Sequence, residues 1–126
     1  MNDHQEKANE YITVFSESVI KHGENMFNNP QQANHYYARF TDALHNLAAL
    51  GNDGLSALAT LLDDDRVVVR VTAASYLVHF KTDKALKVLN TAKNEERAIA
   101  MLAIVTLKRW ETGSYLDPKS GKEVKI

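Results

Sequence analysis

The stretch over residues 63–80, DDDRVVVRVTAASYLVHF, most constrains what this chain can fold into, because it reads as a turn, a capped start and one amphipathic helix. Asp63, Asp64 and Asp65 end the apolar run before them and offer side-chain oxygens to the unpaired N–H groups of the next helix. A good N-cap contributes about 1 kcal/mol, and Asp65 is the expected cap. Val69, Ala73, Tyr76, Leu77 and Phe80 then recur at three- and four-residue steps as one stripe to be buried. Val67, Val71, Ala74 and Val78 form a second stripe beside it, so this helix needs cover on two sides and is read as central. The β-branched run 67–71 also suits a strand, but the small residues Ala73, Ala74 and Ser75 and the acidic cap favour helix.

A chain of 126 residues fits one domain with a real core. The expected division is a helical-repeat domain over 1–113 and a polar tail over 114–126. Fifteen bases nearly balance sixteen acids, which removes the usual electrostatic footprint of a nucleic-acid binder. The charge is uneven: up to Gly54 there are seven acids against three bases, and the remainder is mildly basic. Cysteine is absent, which excludes disulfides, a thiolate nucleophile and zinc–thiolate sites. The opening MNDHQEKANE has no basic start followed by an apolar run, and no stretch is apolar for long enough to cross a bilayer, so a cytoplasmic location is expected.

In chain order, a first helix is expected over 3–21, stopped by His22 and Gly23, followed by a connector whose Met26 and Phe27 tuck against the core. Asn29–Pro30 has the form of an N-cap with proline at the first helical position. The helix after it should run to about Leu50, bury Tyr36, Tyr37, Phe40, Ala43, Leu44, Leu47 and Leu50, and close at Gly51. A shorter helix over 54–62 has Asp53 as its cap, and another follows over 83–92. Asn94 is the expected cap of a last helix over 95–110, with Ile99, Leu102, Ala103, Leu107 and Trp110 as its core and Gly113 as its breaker. The DPKSG of the tail has the residues of a turn, so a short hairpin fits there.

Ala73 and Leu77 match Ala103 and Leu107 at a shift of thirty, Phe80 matches Trp110, and Asp65 matches Glu95. That period signals stacked helical pairs. The run LLDDDRVVVRVTAASYLVHF is similar to a HEAT repeat, through Leu61, Leu62, Asp65, Val69, Arg70, Ala73 and Leu77. With ANHYY, TDKALKVLN and LAIVTLKRWETGSY it resembles a bacterial family of small HEAT-like proteins catalogued as domain of unknown function two-thousand-nineteen. The second unit departs from the pattern, with Ile99 and Ala100 in place of the valine–arginine pair. The resemblance implies an all-α fold, a short HEAT- or armadillo-like stack of antiparallel helix pairs with about six helices. By analogy with bacterial immunity and toxin-associated proteins it also implies a binding role.

The five histidines (His4, His22, His35, His45, His79) are scattered without a helical ligand spacing, and the aspartate triplet lacks the glycine and distal glutamate of a calcium loop. No serine sits in a nucleophile elbow and no glycine loop is built for phosphate. Neither a catalytic residue, a metal site nor a cofactor is expected. Arg70 is read as reaching back to Asp64 or Asp65, or to a neighbouring unit. The expectation is a non-catalytic interaction module whose face offers Arg66, Arg70, Ser75, His79, Arg97, Lys108, Arg109 and Trp110 to an acidic protein partner, such as a toxin domain. A nucleic-acid module, argued against by the near-neutral charge, and a HEAT-like enzyme are the alternatives.

Overall fold

The computed structural model describes residues 3–126. They form six α-helices and one small antiparallel hairpin, an all-α fold: α1 (Asp3–Asn25), α2 (Pro30–Ala49), α3 (Asn52–Ala59), α4 (Val67–Leu77), α5 (Thr82–Ala92), α6 (Arg97–Glu111), β1 (Ser114–Leu116) and β2 (Glu123–Lys125). A 3-10 turn, Thr60–Asp63, continues α3. The starts of α3, α4, α5 and α6 at Asn52, Val67, Thr82 and Arg97 fall at equal steps along the chain, so the thirty-residue shift in the sequence is also a shift from α3 to α5 and from α4 to α6. Within the span expected as one domain, contacts group the residues into two compact units, one up to Leu58 and one from Ala59.

In the first unit α1 and α2 form an antiparallel pair, because Phe15 meets Phe40 edge-on at 5.8 Å while His22, further along α1, meets Tyr37, earlier on α2, at 5.9 Å. Ala8, Phe15, Val19, Ala33, Phe40, Ala43, Leu44 and Leu47 are buried. Asn29 caps α2 as its sequence indicates, accepting a hydrogen bond from the Gln32 amide at 3.2 Å ahead of Pro30. Gly51 closes α2 with φ +74°, the left-handed geometry that favours glycine. Gly54 is required for a different reason: a Cβ there would lie 1.7 Å from the Leu47 carbonyl oxygen, so α3 passes α2 at a distance only glycine permits.

Four expectations for this unit are corrected. Asp53 is not a cap, because α3 already begins at Asn52 and Asp53 lies in its first turn. Gly23 does not stop α1, which runs on to Asn25. An interior glycine costs about 1 kcal/mol in helix propensity, and the packing of His22 against Tyr37 and Phe40 offsets it. Met26 and Phe27 are not tucked in; Phe27 is 85% exposed. Tyr37 is exposed as well, its ring meeting Phe40 and His22 from outside.

In the second unit α4 is central, as its two apolar stripes require: it contacts the 3-10 turn, α5, α6 and β1. Val69, Val71, Ala73, Ala74, Leu77 and Val78 are all buried. The helix is shorter than expected, beginning at Val67 and ending at Leu77, with a turn over 78–80 that leaves Phe80 half-buried. Its acidic device is Asp64, not Asp65. The Asp64 carboxylate accepts from the Arg66 backbone N–H at 2.9 Å and from its guanidinium through Nε and a terminal nitrogen, each at 2.9 Å. That fork fixes which of three adjacent aspartates turns inward. The hairpin predicted for the tail is present, with Ser114 opposite Lys125, Tyr115 opposite Val124 and Leu116 opposite Glu123.

Candidate functional site

The last helix opens on Glu96, whose carboxylate accepts from the amides of Ile99 (3.1 Å) and Ala98 (3.4 Å), so the expected cap Asn94 and start at Glu95 are corrected. Asn94 and Glu95 are committed backwards, their amides donating to Thr91 and Ala92 at the end of α5. At the other end the Thr112 amide donates to the Lys108 carbonyl, and Gly113, at φ +89°, turns the chain into β1. The hairpin is fastened there by the Ile126 amide on the Gly113 carbonyl (2.7 Å), by the Ser114 hydroxyl on the Arg109 carbonyl (3.3 Å) and by Arg109 Nε on Glu123 (3.3 Å).

Ala103 and Thr106 are the buried residues of α6, while Leu102, Leu107 and Trp110 are half-buried. On the outer side, Met101, Ile104 and Val105 are 52%, 44% and 45% exposed. With Arg97 and Lys108 they recur at steps of four, three, one and three residues, which is one helix face. Arg97 and Lys108 make no ion pair among the described residues. Beside this line an open groove of about 360 Å³ is lined by Ile104, Val105, Lys108, Arg109, Thr112, Ser114 and Glu123. The result is an apolar seam with a cation at each end and a recess on its flank.

The sequence-derived surface residues lie on or beside two helices, α4 and α6. Arg66 and Arg70 are both engaged at the head of α4: Arg66 grips the Asp64 carboxylate, and Arg70 donates to the Asp64 backbone carbonyl at 2.6 Å rather than to a carboxylate. The Arg66 side-chain bond foremost, with the Arg66 backbone N–H bond and the charges of Arg66 and Arg70, holds the Asp64 carboxyl below its ordinary pKa against the opposing effect of burial. Ser75 is not a surface residue; it is 5% exposed and its hydroxyl donates to the Thr72 carbonyl at 2.6 Å. A small hydroxyl can satisfy itself within its own helix and so enter a core. His79 is exposed but its ring stacks on Tyr115 at 4.2 Å, nearly parallel. Arg97, Lys108, Arg109 and Trp110 all belong to α6, with Arg109 tied to Glu123 and Trp110 half-buried.

The seam residues Met101, Ile104 and Val105 are not among the surface residues expected from the sequence. Their signal was present, since three large apolar residues recur at helical steps on the side of the helix opposite Leu102, Ala103 and Leu107. A second groove, of about 540 Å³, is lined by Leu62, Asp63, Asp83, Lys84, Lys87, Val88 and Thr91, and there Lys84 is already bonded to Asp63. Among the described residues no group of three or more histidines, aspartates or glutamates is placed to hold a metal ion, and no helix is long and apolar enough to cross a membrane. Compared with family models, curated proteins and solved structures, the chain matches none.

Proposed function

We propose that this chain is a non-catalytic protein-interaction module whose recognition surface is the outer face of α6. The observation that carries this reading is the exposed Met101–Ile104–Val105 seam between two cations that make no ion pair among the described residues. Large apolar side chains gathered on one helix face are characteristic of surfaces that meet another protein. Covering the exposed halves of the three would contribute roughly 3 kcal/mol, against a cost of association of about 4 kcal/mol or more. The partner must therefore also use the flanking charges and the groove, which makes it acidic around an apolar anchor.

The HEAT-like reading of the sequence is consistent with such a role, and neutralisation of a toxin domain by direct binding is one form it would take. The near balance of fifteen bases and sixteen acids favours a protein over a nucleic acid. The test is affinity capture from extracts of the source organism with the wild-type chain and the Ile104→Asp variant, followed by titration of the purified partner. The expected outcome is a partner that binds the wild type directly, more weakly as salt rises, and loses about ten-fold or more in affinity on the variant. Equal binding to both chains, or no partner at all, would overturn the proposal.

A further inference from the structure

Resting on that reading, we infer that the segment which docks on the outer face of α6 is an amphipathic helix with acidic residues at both ends of its apolar stripe. Met101 with Val105 and Ile104 with Lys108 form two neighbouring rows at steps of four, the ridges that pack into the grooves of another helix. The backbone of α6 is engaged in its own helical hydrogen bonds and offers an extended strand no ladder. From Arg97 to Lys108 the seam is about 16 Å long at 1.5 Å per residue, three turns of a partner helix. Charge complementarity sets the ends: among the described residues the cations at both termini of the seam make no ion pair, whereas the groove on its flank already holds the Arg109–Glu123 pair. A partner helix with acids about eleven residues apart and large apolar residues between them fits this arrangement, one apolar side chain entering the recess beside Ile104 and Val105.

The experiment uses two labelled synthetic helices of about eighteen residues, long enough to outreach the seam. Their leucine stripes are identical, and the flanking positions are glutamate in one and lysine in the other. Fluorescence anisotropy is measured against the wild-type chain, the Arg97→Glu/Lys108→Glu variant and the Ile104→Asp variant, each confirmed helical by circular dichroism. The expected result is that the wild type prefers the glutamate peptide by about ten-fold or more, that the double variant inverts the preference, and that Ile104→Asp weakens both peptides. Equal affinity for the two peptides, no inversion, or no saturable binding of either would overturn the helix assignment. If the capture experiment above still yields a partner sensitive to Ile104→Asp, the interaction face stands and only the form of its occupant is wrong.

Discussion

Helices α4 and α6 match at a shift of thirty residues, yet the first is enclosed and the second is bare on its outer face. Shifted by thirty residues, Val71, Ala74 and Ser75 of α4 correspond to Met101, Ile104 and Val105 of α6. The first three are 1%, 0% and 5% exposed, whereas their counterparts stand about half in solvent. The side chains differ to match. Alanine and serine let neighbouring structure approach α4 closely, while isoleucine and valine project from α6. Folding accounts for apolar character on the covered helix; it does not account for it on the outer face of α6, where a polar residue would serve solubility better. That surplus is what the proposed function explains.

Matched substitutions break the comparison most directly. Ala74→Asp places a charge in a fully buried position and should cost about 3 kcal/mol or more, enough to unfold much of the population. Its counterpart Ile104→Asp should change stability by no more than about 0.5 kcal/mol. Urea denaturation followed by circular dichroism reads both; equal losses would mean that the face of α6 is part of the folding core. Exchanging size instead of charge sharpens the point: Ala74→Ile should overpack α4 at about 1–3 kcal/mol. Ile104→Ala, by contrast, should lower stability only slightly, since its site is open to water.

The two helices also open differently. Asp64 makes three charge-assisted bonds to Arg66 before α4, so Asp64→Ala should cost about 1–2 kcal/mol. Glu96→Ala, removing two longer bonds on exposed amides, should cost about 1 kcal/mol or less. Because the folded-state pKa of Asp64 lies below its ordinary value, its contribution is present above the ordinary carboxylate range and is lost as pH falls through the lower folded value. Asp64→Asn should flatten that part of the stability–pH curve, measured by urea midpoints at a series of pH values.

A smaller pH effect is expected from the first unit. Burial of His22 against Tyr37 and Phe40 lowers its pKa below 6.5. As pH drops below that value the unfolded chain takes up a proton that the folded chain resists, so stability should fall. His22→Gln should remove this slope without touching the one attributed to Asp64.

Much of this architecture was legible because local chemistry decided it. Asn29–Pro30 starts α2, Gly51 and Gly113 end α2 and α6 in left-handed geometry, and the double stripe on α4 required an enclosed helix. What failed depended on tertiary context. Three consecutive aspartates are equivalent in sequence, and only the reach of Arg66 and Arg70 selects Asp64. Gly23 stays helical because packing beside it outweighs propensity, and Phe27 is apolar in a connector that nothing covers. For the candidate face, Arg97, Lys108, Arg109 and Trp110 were named from their place on the last helix. The apolar seam among them recurs at helical steps in the sequence, but only the cover given to each helix shows that this stripe, unlike that of α4, faces solvent.

The central claim, that the outer face of α6 is a recognition surface, is tested most directly by placing a photo-crosslinking side chain at position 104 and, in parallel, at exposed positions Thr13 on α1 and Lys87 on α5 in the source organism. The account predicts one discrete protein adduct at position 104 that is absent at the other two. No adduct at 104, or the same pattern at all three positions, would contradict it.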